Sequence, residues 1–245
     1  MKKWFLLLWI LVPLPVLVWH FGAGQQWLAR DRAHALLGDA RAAESKKAWA
    51  EAEVLYKQAA DEVKDSEAAL KTQLDIALAR TRYRQGGAVD SIDLIDRVIS
   101  DKRFASQPER LQREARELAG RIHYYAAWVM RLEGAQRDLW MEEAELSRQN
   151  FRLLSEQTLA TRQTNYSMLQ QTNLETSIRL QRMSLTELMG RPLPEEGRTM
   201  VGQGLSEEMG RRRGQRGKQP GIGQQEEGPP NRGAGEGKFQ PGPGS

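Results

Sequence analysis

Three histidines supply all the imidazole groups of this 245-residue chain, and their spacing does not suit a metal or catalytic centre. His20, His34 and His123 lie far apart, and none belongs to the His-x-x-x-His pattern that places two imidazoles on one helix face. Cysteine is absent, which excludes disulfides, thiolate metal ligands and a cysteine nucleophile. The sequence therefore predicts no metal site.

The acidic side chains do not indicate an enzyme either. Glu142, Glu143 and Glu145 lie close together, but a general acid–base pair needs a pocket or a basic partner, and exposed helices commonly carry such charges. Phosphate-binding glycine loops and Ser/His/Asp arrangements are missing from the sequence. We expect a protein that is not an enzyme and that uses no cofactor.

One set of residues suits the binding of a protein partner. Gln73, Ala77, Arg80 and Arg84 are spaced by three and four residues, which places them on one side of a helix. The planar guanidinium groups of the two arginines suit a partner carboxylate. The alternative is a solvated charged face without a specific partner.

The densest aromatic patch of the chain is a second candidate. Tyr124, Trp128 and Arg131 share a predicted helix face, and their residue types are enriched at the centres of protein interfaces. The same spacing is also expected of a broad helix face that packs in a core. Both interpretations are open at the level of sequence.

The elements that carry these residues are predicted to be helices. Strong helix formers dominate from residue 22 to residue 190, with Pro108 as the single proline. Apolar residues recur at spacings of three and four, whereas β-branched runs bounded by turn residues are missing. The fold class is therefore all-α, with turns at Gly86 and Gly134. The predicted helices span residues 26–43, 48–64, 66–85, 88–101, 107–133, 136–157 and 160–189.

The second helix of the first predicted pair has bulky, small and aromatic residues at fixed spacing, Trp49-x-x-Ala52-x-x-x-Tyr56-x-x-Ala59. This pattern resembles the second helix of a tetratricopeptide repeat. The next pair is similar, and its matching residues are Leu78, Ala79, Tyr83, Gly86, Ser91, Ile95 and Val98. The resemblance covers residues 33–100 well and 107–157 loosely. It implies a solenoid of antiparallel helices whose curved inner surface binds other proteins.

The last predicted helix differs in composition. Gln, Thr, Asn and Ser predominate over residues 157–173, crossed by a narrow apolar stripe. This helix is expected to cap the solenoid, or else to form a seam for self-association. The stripe consists of Leu159, Tyr166, Leu169, Leu174 and Ile178.

Residues 1–24 predict a membrane segment. Lys2 and Lys3 precede an apolar run that begins at Trp4 and ends at Phe21. As a helix it would be about 27 Å long at ~1.5 Å per residue, close to the ~30 Å hydrocarbon core. The flanking charges place the N-terminus in the cytoplasm and the body outside. The small residues at 22–24 leave a cleaved signal peptide as the alternative to an anchor.

The C-terminal residues 191–245 are predicted to be disordered. Gly and Pro make up 21 of these 55 residues, and few large apolar side chains are present to offset the entropy of ordering. Residues 25–190 contain 25 basic and 25 acidic side chains, so the net charge of +4 comes from the two ends. The basic run Arg211-Arg212-Arg213 either contacts nucleic acid or anionic lipid, or stays solvated.

This order of membrane span, tetratricopeptide-like helices over 25–190 and Gly/Pro-rich tail resembles bacterial membrane-anchored repeat proteins of the Bat type. The resemblance implies partnership with MoxR-type ATPases and von Willebrand A-domain proteins. We therefore expect a single-pass inner-membrane scaffold, with its body in the periplasm, that assembles an envelope complex. Binding of nucleic acid or anionic lipid through the tail is the alternative, and self-association is open.

Overall fold

A computed structural model describes residues 24–63, 67–160, 164–192, 201–202 and 204–216, and all of its regular elements in these ranges are helices. The fold class predicted from the sequence is thus confirmed for the described residues. None of the helices described there is both long and apolar enough to cross a membrane. The predicted membrane segment from Trp4 to Phe21 lies outside these ranges.

Nine α-helices and one short 3-10 helix make up the described part of the chain. Up to residue 157 their bounds agree with the prediction to within a few residues. The helices are α1 (Gly24–Ser45), α2 (Trp49–Glu62), α3 (Ala68–Arg84), α4 (Ala88–Ser100), the 3-10 helix (Phe104–Ser106), α5 (Glu109–Leu132), α6 (Arg137–Ala160), α7 (Thr164–Arg182), α8 (Leu185–Met189) and α9 (Leu205–Arg216).

Short turns join the helices into the pairs α1–α2, α3–α4 and α5–α6, and α3 also contacts α5 directly. Gly86 and Gly134 adopt φ values of 89° and 76° in two of these turns, the left-handed region that glycine enters without steric cost. In the first turn Lys47 takes this conformation instead, with φ of 60°. A lysine gives no sequence signal for such a turn.

Two apolar clusters form the core of the described residues. The first joins α1, α2 and α3, the second joins α3 to the helices that follow, and α3 thus contributes to both. Leu74 and Ala77 pack with α1 and α2, whereas Ile76, Ala79 and Tyr83 pack with the helices that follow. A helix buried on two sides needs apolar or small residues around most of its circumference. This is why α3 shows little separation of polar and apolar faces.

The residues that carry the tetratricopeptide resemblance lie mainly inside these clusters. Trp49 and Leu78 are half-buried. The guanidinium carbon of Arg84 lies over the Trp49 ring, 5.8 Å from the ring centroid. The others are buried: Ala52, Tyr56, Ala59, Ala79, Tyr83, Gly86, Ser91, Ile95 and Val98.

The close contact between α5 and α6 depends on Gly120. A Cβ atom at this position would lie 2.7–2.9 Å from the ring atoms of Phe151, nearer than van der Waals contact allows. Phe151 is itself buried, so its ring has little room to move. The glycine therefore sets the distance between the two longest helices of the second cluster.

Replacement of Gly120 by alanine is expected to lower the free energy of unfolding by about 1–3 kcal/mol. Alanine is the better helix former by ~1 kcal/mol, but overpacking against the Phe151 ring outweighs that gain. Urea denaturation followed by circular dichroism measures the change. Gly38→Ala is the control, because nothing lies within 4 Å of a Cβ there, and it should be stabilising.

The last predicted helix is divided, and its buried face differs from the predicted stripe. The chain leaves α7 at Met183, and the Ser184 hydroxyl accepts a hydrogen bond of 3.1 Å from the Glu187 amide to begin α8. Leu169 is 50% exposed, and the side chain of Leu159 is outside the described set. Four mostly polar residues are buried instead: Ser167, Gln170, Ser177 and Leu180.

Small polar side chains explain this face of α7. The hydroxyls of Ser147 on α6 and Ser177 on α7 lie 2.9 Å apart, a hydrogen bond that satisfies both groups where the two helices approach closely. Hydrophobic spacing alone missed this contact. α7 thus packs on α6 as the capping hypothesis expected, but through its serines.

The structure also differs from the prediction of disorder throughout 191–245. Helix α9 lies inside that stretch and packs against α4, α5 and α6. Its first residue, Leu205, is 1% exposed. Because Gly and Pro are frequent over the whole tail, its average composition concealed this local helix.

Candidate partner-binding groove

A groove of about 950 Å³ runs along α1, α3 and α5, the first helices of the three pairs. Gln73, Ala77 and Arg80 line it from α3, as the predicted binding face requires. Helices α1 and α5 add residues that the sequence had not marked: Arg30, His34 and Arg41 from α1, and Arg110, Leu111 and Glu114 from α5.

Arg80 is the centre of the groove wall, but its guanidinium already has partners. Its Nε and Nη2 donate to the two carboxylate oxygens of Glu44 at 2.6 and 3.1 Å, and Nη1 donates to Glu114 at 2.9 Å. The hydroxyl of Tyr56 donates to the same Glu44 carboxylate at 2.7 Å. The four residues therefore join α1, α2, α3 and α5. The guanidinium of Arg80, predicted to bind a partner carboxylate, is already paired with two carboxylates of this chain.

The pKa values of this cluster agree with an ionised pair. Burial raises the pKa of Glu44, but hydrogen bonds from Arg80 and Tyr56 outweigh burial and hold it below its usual range. Burial, reinforced by the Glu44 carboxylate, raises the pKa of Tyr56 to about 12. Both charges are thus present at neutral pH, and the phenol remains a donor.

The groove has an excess of positive charge after internal pairing. Arg30 pairs with Glu67 at 3.6 Å, and Glu114 is taken by Arg80. Arg41 and Arg110 are exposed on the groove walls and form no ion pair with any residue that the structure describes. Within the described part of the chain, two guanidinium groups without an ion-pair partner therefore line the groove from α1 and α5.

The remaining predicted binding residues lie elsewhere. Arg84 stacks on Trp49 and is not part of the groove lining. Trp128 is buried, with Tyr124 packed edge-on against it at 5.7 Å between ring centroids. Arg131 donates to the carbonyl oxygens of Leu180 and Met183 at 2.6 and 2.7 Å. The aromatic patch therefore fixes the end of α7 to α5 and is core packing.

A buried ion cluster on the other side of α5 was missed at the sequence level. His123 is 1% exposed, its Nδ1 is 2.6 Å from Glu143 and its Nε2 is 3.1 Å from Asp96. Asp96 belongs to α4 and Glu143 to α6, so one imidazole joins three helices. Glu143, read as a surface carboxylate, is buried, because its basic partner lies 20 residues away in sequence.

The cluster of His123, Glu143 and Asp96 joins helices and does not suit metal binding or proton transfer. Burial lowers the pKa of His123, but the charge of Glu143 and hydrogen bonds to both carboxylates outweigh burial and raise it to about 10. A protonated imidazole with both nitrogens donating has no lone pair for a metal ion or for proton abstraction. The cluster therefore acts as a charged clamp between α4, α5 and α6.

The stability of the protein is expected to fall between pH 6.5 and pH 10. The folded state holds the His123 proton more tightly than the unfolded state, in which the pKa is near 6.5. The contribution is fully present below pH 6.5 and is lost as pH rises towards 10. Thermal unfolding over this range measures it, and the double variant His123→Leu/Glu143→Leu should show a flatter dependence.

The basic run of the tail is also engaged by the helical body. Arg212 pairs with Asp93, and Arg213 lies 3.1 Å from Asp138 and 3.4 Å from Glu142. These pairs reduce the positive charge that the tail offers to nucleic acid or lipid.

Comparisons of the chain with family models, with curated proteins and with solved structures find no match.

Proposed function

We propose that this protein is a scaffold that binds an acidic segment of another protein in the groove along α1, α3 and α5. The observation that carries the proposal is the position of Arg41 and Arg110 on opposite walls of that groove, where both are exposed and neither forms an ion pair with a described residue. Arginine binds carboxylates in a planar, two-point geometry that suits acidic side chains and chain ends.

The shape of the groove supports a peptide-sized ligand. A volume of about 950 Å³ is at the upper end of what small-molecule sites enclose, and this groove is open along its length. Ala77 and Leu111 line the groove between the charged walls but are only 3% and 6% exposed. An extended acidic segment would match the length and the charge of the groove.

The helix arrangement supports a tetratricopeptide-like scaffold. In such solenoids the stacked pairs form a concave binding surface, and the groove lies along α1, α3 and α5, one helix from each pair. We propose further that the apolar run from Trp4 to Phe21 anchors the protein in the inner membrane. Its partner would then be another envelope protein, for which von Willebrand A-domain proteins are the first candidates to test.

The double variant Arg41→Gln/Arg110→Gln tests the groove. A fluorescent glutamate-rich peptide should bind the full chain in mild detergent, and the variant should bind it about tenfold more weakly, because each lost contact contributes roughly 0.5–1 kcal/mol. Fluorescence anisotropy at fixed ionic strength gives both affinities.

A matched control removes the same charge elsewhere. Arg152→Gln/Arg179→Gln replaces two exposed arginines on α6 and α7, which should leave the peptide affinity unchanged. Equal weakening by the two double variants would mean that net charge alone attracts the peptide, and the groove would lose its assigned role.

A further inference from the structure

A second groove, which we call the acidic groove, lies between α4 and α6 with α5 as its floor. Its lining shares no residue with the groove described above. Ile92, Met130 and Leu139 supply apolar surface, and Asp93 and Glu142 supply negative charge along its rims. One end is filled by α9, which contributes Met209, Arg212 and Arg213 to the same lining.

Helix α9 docks in this groove through one face. Leu205 and Met209 pack against the second core cluster, and Arg212 follows three residues later. Spacings of four and three place these side chains in one row, the pattern by which amphipathic helices occupy grooves in other proteins. The body therefore already shows which helix pattern the groove accepts.

Charge complementarity orients the docked helix. The Glu133 carboxylate accepts hydrogen bonds from the amides of Leu205 and Ser206 at 3.3 and 2.8 Å, so an acidic group meets the positive end of the helix dipole. At the other end, Arg212 and Arg213 pair with carboxylates of α4 and α6.

The contacts that hold α9 in the acidic groove are weak enough for another helix to replace them. The ion-pair partners of both arginines are between about a third and two-thirds exposed, and such pairs contribute little and are screened by salt. A 12-residue helix with Gly210 in its middle is marginal without its neighbours. Leu205 is the one fully buried apolar anchor among the described residues of α9.

The groove is also longer than α9. A second cavity of about 870 Å³ adjoins the occupied part and shares Asp93, Asp96 and Leu146 with it. Arg97 and Arg116 also line this cavity, so its charge is mixed. Leu153, 39% exposed, and Ile99 extend the apolar surface there. A longer helix than α9 would find further contacts.

We propose that the acidic groove is the docking site for a basic amphipathic helix of a partner protein, and that α9 occupies it until that helix displaces it. The partner helix carries two apolar residues four apart, followed three and four residues later by arginine or lysine. This site is independent of the binding of acidic segments at Arg41 and Arg110.

The test uses the full chain in mild detergent and a labelled peptide of residues 204–216 as the probe. The variant Arg212→Glu/Arg213→Glu loses the ion pairs that hold α9 and leaves the groove residues of α4, α5 and α6 unchanged. Fluorescence anisotropy should show saturable binding at least tenfold tighter to this variant than to the unaltered chain, in which α9 competes. Added salt should weaken the binding.

Three controls separate groove docking from simple charge attraction. A peptide in which Leu205→Asp and Met209→Asp are made should not bind, and Asp93→Lys added to the variant should abolish binding of the original peptide. Arg41→Gln/Arg110→Gln should have no effect, because it changes the other groove. Absence of saturable binding to the variant, or equal affinity for the variant and the unaltered chain, would overturn the proposal.

Discussion

Replacement of His123 by leucine is expected to lower the free energy of unfolding by about 3–5 kcal/mol, the largest effect of any single substitution proposed for this protein. The change leaves the Glu143 carboxylate buried without the cation that lies 2.6 Å from it. A buried charge without a partner costs far more than the pair itself contributes. Urea denaturation at pH 6 gives the difference directly, since His123 is fully protonated there.

The double variant His123→Leu/Glu143→Leu distinguishes this explanation from a general loss of packing. Removing both charges leaves an apolar contact between α5 and α6, so most of the lost stability should return. Asp96 keeps access to water and adds little to the cost. If the double variant is no more stable than the single one, the buried carboxylate is not the cause. His34→Leu, at an exposed position, should change stability by less than about 0.5 kcal/mol.

Replacement of Arg80 by methionine is expected to cost about 2–4 kcal/mol. Glu44 would lose a two-point ion pair in a mostly buried position, and Glu114 would lose its contact at 2.9 Å. The aliphatic part of the arginine is retained by methionine, so the loss reports mainly on the charge. Thermal and urea unfolding measure it, and the transition should broaden if α1 and α2 separate from the remaining helices.

Arg82→Met is the matched control on the same helix. Arg82 also contacts two carboxylates, Glu53 and Asp90, but at longer distances. The buried carboxylate, Glu53, would keep its ion pair with Lys57 at 2.6 Å. Its loss should cost less than about 1 kcal/mol. Adding Glu44→Gln to Arg80→Met should restore part of the stability, because the amide keeps an acceptor for Tyr56 and carries no charge. Equal costs for Arg80→Met and Arg82→Met would contradict the central position assigned to Arg80.

The positions of the first six helices and of two turns were predicted correctly because they depend on neighbouring residues. Gly86 and Gly134 stand where the backbone requires positive φ, and the spacing of Ala52, Tyr56 and Ala59 identified a face that is buried. The same local reasoning failed for α7, whose buried face is mostly polar, and for α9, which the average composition of the tail concealed. In α9 acidic residues near the start and arginines near the end suit the helix dipole, but the surrounding glycines hid that signal.

The lining of the proposed groove was predicted only in part. Gln73, Ala77 and Arg80 share the groove because a helix places such a series on one face. The sequence did not show which arginines form ion pairs. Arg80 is paired with residues 36 and 34 positions away, whereas Arg41 and Arg110 form no ion pair with a described residue. No pattern in the chain distinguishes a paired arginine from a free one.

The sequence by itself determined that the described chain is helical, where most of its helices begin and end, and which of their faces are apolar. Those properties follow from helix propensity and from the spacing of apolar residues, which depend on residues a few positions apart. The tertiary structure alone decided the pairing of His123 with Glu143, the free charge of the groove and the docking of α9. Ion pairs act between side chains that meet only after the helices pack, and their partners are therefore set by the fold.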